Sequence, residues 1–332
     1  MTMSMRKIRK TVGNRARCFP GRAARMFGSC VLGAALLWGC GGGAQGLERE
    51  VSMDGKYYIS NARVRLGVDL ERGGSIFFFS DAQGRNLLNH ADEGRFVQQS
   101  YYGRPDGSLW NGRPWAWNPI QGGGWRGEKA PILLQEDTPE GLHIVSRPVH
   151  WASGEPVAAC RMEEEIALDS TIAHIRYTFY NTEAGAETHP ATHQELPAVF
   201  VDADLPFMVY YAGDRPWTDD TLTRVVPGWP NEEHIRTEHW AAYTDSTGWG
   251  IGVYTPGTPV STAYRFPGDG RTGPQGSACS YFAPVRTFAI EQGMVFSYDV
   301  YLTIGTEEQI RRRFYSLYRQ REAVDLPDGR IP

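Results

Sequence analysis

The sequence predicts an all-β fold, a large antiparallel β-sandwich closed by one C-terminal helix. Three observations lead there. Apolar residues recur with a two-residue period, as in Ala62-Arg63-Val64-Arg65-Leu66-Gly67-Val68-Asp69-Leu70, where every even position is apolar; a strand with one buried face has that period. Thirty-eight glycines and 21 prolines in 332 residues supply turns at short intervals. Convincing helical spacing occurs once, near the end, where Thr306-Glu307-Glu308-Gln309 reads as a capping box. Ile310, Phe314, Leu317 and Tyr318 follow at helical spacing, with Arg311, Arg312, Arg313, Arg319 and Arg321 expected on the wetter faces.

Taken in order, the chain opens with a segment of another kind. Residues 1–25 carry eight Lys or Arg and no acid, and Met26 to Trp38 is apolar. That run is short for a bilayer span and right for a signal-peptide core. Leu37-Trp38-Gly39-Cys40 resembles the lipobox of bacterial lipoproteins, whose cysteine is lipidated and becomes the new N-terminus. The expectation is a lipoprotein-type signal peptide over 1–39, lipidation at Cys40, and contact with the membrane only through that anchor. Trp38 is atypical for the motif, so periplasmic or secreted export is the alternative. Residues 40–50 are expected to be a Gly/Ala-rich tether, 51–305 the sandwich, and 306–332 the helix and tail.

Charge narrows the partners. The chain holds 34 Lys and Arg against 38 Asp and Glu; without the eight leader bases, 26 face 38, a net charge of −12. That balance disfavours nucleic acid. Cys160 and Cys279 are the body's two cysteines. Export would leave them open to pairing, and neither has the CxxC neighbour of a zinc or redox site.

Within the body, Glu71-Arg72-Gly73-Gly74 turns the first strand into Ser75–Ser80, which reads as more fully buried. Further strands are expected at Gly141 to Val145, Cys160 to Leu168, Ala173 to Tyr180, Ala198 to Val201, Phe207 to Tyr211, Trp249 to Tyr254 and Met294 to Ile304. Between the early and later strands lies Gly94 to Gly127, GRFVQQSYYGRPDGSLWNGRPWAWNPIQGGGWRG. After a short alternating start it has no period and is expected to be mostly loop. Its flat aromatic faces beside Arg and amide groups suit a sugar ring, whose faces are apolar and whose rim is hydroxyls. Arg95, Gln98, Tyr101, Tyr102, Trp115, Trp117, Asn118, Gln121 and Trp125 are its candidate binding residues, with Trp240 from a later segment. The alternative is that the tryptophans plug one end of the β-structure.

The chemistry is expected elsewhere, in Thr188-His189-Pro190-Ala191-Thr192-His193-Gln194-Glu195. In an extended segment His193 and Glu195 share a face. Glu195 is the leading candidate for general acid or base, with His193 and His189 beside it as proton carriers. A metal at His189, His193 and Glu195 is disfavoured, because HxxxH binds well from a helix and Pro190 and Pro197 oppose one; no metal or cofactor is expected. Glu238 and His239, beside Trp240, form a second cluster. Tyr281 is a candidate proton abstractor of the kind that lyases use. Each of these also has a plain structural role open to it, as a buried group bonded to backbone.

The run Val64 to Gly103 resembles the start of galactose-mutarotase-like β-sandwiches: a strand, a Gly-Gly turn, a second strand, a turn and a polar loop. His239 to Pro256, HWAAYTDSTGWGIGVYTP, resembles their later strand pairs, and so does the final pair leading into Ile304-Gly305-Thr306. The likeness covers most of residues 50 to 305. It implies a supersandwich acting on sugars, without naming a reaction. The expected function is an exported carbohydrate-active enzyme on a poly- or oligosaccharide, first a glycoside hydrolase. A polysaccharide lyase acting on a uronate-containing glycan and a non-catalytic glycan-binding lipoprotein are the alternatives, and the oligomeric state is left open.

Overall fold

The computed structural model describes residues 46–218 and 220–325. The expected signal peptide, Cys40 and most of the tether lie outside these residues. The chain begins with β1 (Glu48–Val51), β2 (Lys56–Ser60), β3 (Val64–Asp69) and β4 (Ser75–Asp81), an antiparallel sheet in chain order. Glu48 to Val51 pair with Tyr57 to Ser60, so the last residues of the expected tether belong to this sheet.

Next come β5 (Gln98–Ser100), β6 (Pro105–Trp110), β7 (Arg113–Ala116), β8 (Pro119–Ile120), β9 (Ile132–Thr138), β10 (Gly141–Ser146) and β11 (Val149–His150). Then follow β12 (Cys160–Asp169), β13 (Ile172–Asn181), β14 (His189–Asp202), β15 (Phe207–Tyr210), β16 (Thr223–Val225), β17 (Glu232–Ile235) and β18 (Trp240–Thr244). The last strands are β19 (Trp249–Tyr254), β20 (Val260–Phe266), β21 (Cys279–Ile290) and β22 (Met294–Thr306), before α1 (Glu307–Asp325). One nine-stranded sheet has the order β16-β15-β18-β19-β22-β13-β12-β10-β9, and a seven-stranded sheet has β11-β8-β5-β14-β21-β20-β17.

The sheets share one core that includes Leu66, Phe79, Ile144, Tyr177, Val199 and Leu302. Alternation places the site. On β21, Phe282 points into that core, while Cys279, Tyr281, Ala283 and Val285 pack on the opposite face with Ala198 and Phe200 of β14. The seven-stranded sheet therefore has an outward face lined with side chains of its own.

The capping box forms as read: the Thr306 N–H donates to the Gln309 side chain at 3.1 Å, and the Gln309 N–H to Thr306 Oγ1 at 3.3 Å. Ile310 and Phe314 pack on Trp240, Tyr254 and Tyr301. Three of the arginines also reach back to polar partners, Arg311 and Arg313 from partly buried positions and Arg321 with its side chain still 41% exposed. Arg311 meets Glu238, Arg313 donates to Thr303 and the Ile304 carbonyl, and Arg321 to Asp299.

The aromatic stretch is more than half loop, as expected, but it also carries four short strands. It contributes β5 and β8 to the seven-stranded sheet and folds β6 and β7 into a hairpin. Asn111 and Gly112 turn that hairpin with φ of 49° and 76°, the pair of positive values that a tight Asn-Gly turn requires. Cys160 and Cys279 are both buried, lie in different sheets, and are not bonded to each other.

Candidate functional site

A cavity of 490 Å³ opens on the outward face of the seven-stranded sheet, within the usual size of small-molecule sites. Its floor is Glu195, Ala198 and Phe200 of β14 with Cys279 and Tyr281 of β21. Ser100, Tyr102, Asn118 and the tryptophans Trp110, Trp115 and Trp151 make one wall; Tyr264, Phe266, Trp229 and Asn231 make the other. The hairpin brings Trp110 and Trp115 together edge to face at 4.8 Å, and Trp151 stands 6.4 Å from Trp110.

Glu195 occupies an interrupted part of its strand. Pro197 has no N–H to give the ladder, and pairing with β21 shifts register between Glu195 and Val199. Such irregularities re-aim side chains. The Tyr281 hydroxyl donates to Glu195 Oε1, and the hydroxyls of Ser100 and Tyr102 lie close enough to act on its pKa. Burial raises the Glu195 pKa, and these three hydroxyls oppose the rise only in part. Burial, reinforced by the Glu195 charge, holds the Tyr281 and Tyr102 hydroxyls well above their usual pKa.

Cations are committed elsewhere. Arg95 lines the cavity, but its guanidinium pairs with Asp92 at 2.9 Å and donates to the Ser277 carbonyl at 2.8 Å. Arg104 pairs with Glu187 and Arg126 with Glu128, and Arg113 is exposed outside the cavity. Asn118 is buried, donating to the Tyr101 carbonyl at 2.7 Å and accepting from Trp115 Nε1 at 3.2 Å. Among the described residues no group of three or more His, Cys, Asp or Glu side chains is placed to hold a metal.

Of the sequence-derived candidates, Glu195, Tyr281, Arg95, Tyr102, Trp115 and Asn118 line the cavity. The others do not. His193 is exposed and faces a separate depression with Glu233, Arg286 and Thr287, so sharing a strand face with Glu195 does not bring it into the same cavity. His189, at the start of β14, is buried and stacked on Trp117 at 3.9 Å, away from the cavity. His239 accepts from the Gly257 N–H at 3.1 Å in a left-handed turn with φ of 60°.

Glu238 and Trp240 belong to the helix junction. The Glu238 carboxylate is fully buried and receives Arg311 Nη2 at 2.6 Å, Trp240 Nε1 at 2.7 Å and the Trp217 N–H at 2.6 Å. Tyr101 lies in the core against Phe179, and Gln98 and Gln121 are buried crosslinks to the Gly94 and Gly73 carbonyls. Trp125 donates to the Ala152 carbonyl outside the cavity. Sequence reasoning missed Asp92, Trp151, Trp229, Asn231, Tyr264 and Phe266. Asp92 stands two residues before the aromatic stretch; Trp229 sits in Val226-Pro227-Gly228-Trp229-Pro230-Asn231, where an aromatic between two prolines was the available signal.

No family model and no curated protein matches the chain. Solved structures do. A protein from Escherichia coli K12 provisionally assigned as an aldose 1-epimerase superposes with a TM-score of 0.50 at 15% identity, covering 76% of this chain and 99% of its own. The fold is the galactose-mutarotase-like β-sandwich. A galactose mutarotase-like protein from Lactobacillus casei ATCC 334 is similar at 11% identity and a TM-score of 0.47, over 75% of this chain and all of its own. A 4-alpha-glucanotransferase from Thermococcus litoralis matches at 15% identity and a TM-score of 0.43, over 77% of this chain and 39% of its own. At such identities the likeness is one of fold, and the mutarotase-like sandwich says nothing by itself of the reaction.

Proposed function

We propose that this protein is a carbohydrate-active enzyme that hydrolyses glycosidic bonds in an uncharged oligo- or polysaccharide, with Glu195 as its proton donor. The observation that carries this reading is a carboxyl group on the floor of an aromatic-walled cavity, with a raised pKa and no cation beside it. A carboxyl whose pKa is raised holds its proton above the ordinary carboxylate range and can give it to a glycosidic oxygen as the C–O bond breaks. The Tyr281 hydroxyl then donates to the carboxylate left behind, with the Ser100 and Tyr102 hydroxyls close by. Asp92, the other carboxylate lining the cavity, is the candidate to activate the attacking water or trap the sugar cation. The fold neighbour from Escherichia coli, provisionally an aldose 1-epimerase, is in keeping with a sugar in this cavity.

A polysaccharide lyase remains the nearest alternative; Arg95 is already paired with Asp92, so neutralising a uronate carboxylate would fall to an amide such as Asn231. A second reading is anomer interconversion of a single sugar, favoured by Glu195 being the carboxylate on the cavity floor while Asp92 is ion-paired and nearly half exposed. Product analysis on neutral and uronate glycans separates the three. Hydrolysis gives new reducing ends, elimination gives an ultraviolet-absorbing unsaturated uronate, and epimerisation changes optical rotation with no cleavage. Cleavage of neutral glycans without unsaturated product is expected; either of the other results overturns the reading. The same proposal has the chain exported and lipidated at Cys40, so Cys40→Ala should move it from the membrane to the soluble fraction.

A further inference from the structure

We infer that the cavity binds a chain of at least two uncharged sugars, and that Trp229 carries the outer one. This rests on the sugar-binding reading of the cavity. The two walls are unlike. Trp110, Trp115 and Trp151 lie over the side nearest the hairpin and contact one another. Trp229 stands apart at the mouth and is 59% exposed.

That exposure is not the freedom of a loose loop. The Gly228 N–H donates to Glu232 at 2.9 Å, and the Gly228 carbonyl accepts from the Arg265 N–H at 3.1 Å, which ties the turn to β17 and β20. The indole rests edge-on against Tyr264 at 4.8 Å and tilted against Phe266 at 5.1 Å. A large apolar ring is thus held in water at the rim of a cavity, with its position already fixed. Fixed, exposed apolar surface beside a groove marks a contact site, and ordering it in advance lowers the cost of binding.

The occupant follows from chemistry. An aromatic face accepts the C–H face of a pyranose, and Asn231, which follows Trp229 and Pro230 on the turn and also lines the cavity, offers an amide to its hydroxyls. Arg95 being committed to Asp92, the wall offers no cation for a charged sugar. A sugar against Trp229 on one wall and a sugar over Glu195 on the floor share one cavity, as successive units of a chain would.

The test is calorimetric titration of Glu195→Gln, which blocks turnover, with neutral gluco-, galacto-, manno- and xylo-oligosaccharides of one to six units. The expected result is a step in affinity on adding the second or third sugar, roughly tenfold as for an aromatic anchor. Trp229→Ala should abolish that step, and Trp229→Phe should restore part of it. Equal affinity at every length, or a step that survives Trp229→Ala, overturns the inference while leaving a sugar site at Glu195 intact. Absence of binding by any neutral glycan overturns both. Circular dichroism of each variant reports that the fold is kept.

Discussion

Glu195 and Glu238 make an instructive pair. Each stands within two residues of a histidine in the sequence, and each is at least partly withdrawn from solvent. Glu238 is compensated: Arg311 gives it two charged hydrogen bonds, at 2.6 and 3.1 Å, and Trp240 and the Trp217 N–H complete the set. Glu195 has only neutral hydroxyls for company and sits at the floor of a cavity. A buried carboxylate with a guanidinium holds structure together. One without a cation has its proton affinity raised, which is what an acid catalyst needs. The residue is the same; the difference lies in the partner, and in Glu195 facing a cavity where Glu238 is fully buried.

The comparison can be broken from either side. Glu238→Ala should be the most damaging change to stability, about 3 kcal/mol or more by urea denaturation, because it leaves Arg311 without its partner in a nearly closed junction. Its effect on the Glu195 cavity should be small; a loss of glycan binding in the folded variant would show that the two regions are coupled.

Acid–base behaviour should separate them next. Folding raises the Glu195 pKa, so the native state holds more of its proton than the unfolded chain does. Stability from this group is complete below the ordinary carboxylate range and is lost as pH rises through the raised native value. Thermal melting of wild type and Glu195→Gln across pH should diverge in that window, by at most about 1.4 kcal/mol per pH unit, with the Gln variant spared the loss. Parallel curves would contradict the buried, uncompensated state of Glu195.

Tyr281→Phe removes a donor that favours ionised Glu195. It should raise the Glu195 pKa further, move the alkaline limb of the pH–rate profile upward, and cost about 1–2 kcal/mol where Glu195 is ionised. Thr306→Ala, which deletes the cap of α1, should lower stability by about 1 kcal/mol with no change in that profile.

Much of the fold was legible because its causes are local. The alternation around Leu66 reports a buried face directly, and Thr306 with Gln309 signals a helix start within four residues. The hairpin, too, has a local signal in Asn111-Gly112, whose positive φ values make its tight turn. The site was legible only in part, since what separates Glu195 from Glu238 comes from far along the chain. Tyr281 is 86 residues from one and Arg311 is 73 from the other. His193 shows the limit of a strand-face argument: two residues along β14 from Glu195, it already faces a different depression. Trp229 and Asp92 reach the cavity from short turns that carry no period to read.

The central claim is that Glu195 carries the proton in a sugar-binding cavity, and the most direct measurement pairs turnover with binding in Glu195→Gln. On a neutral glycan that the wild type cleaves, the account predicts a variant that keeps its fold and its affinity while kcat falls by a factor of about 10² to 10⁴. Turnover that survives the substitution, or a wild type that binds glycans but cleaves none of a broad panel, would contradict it.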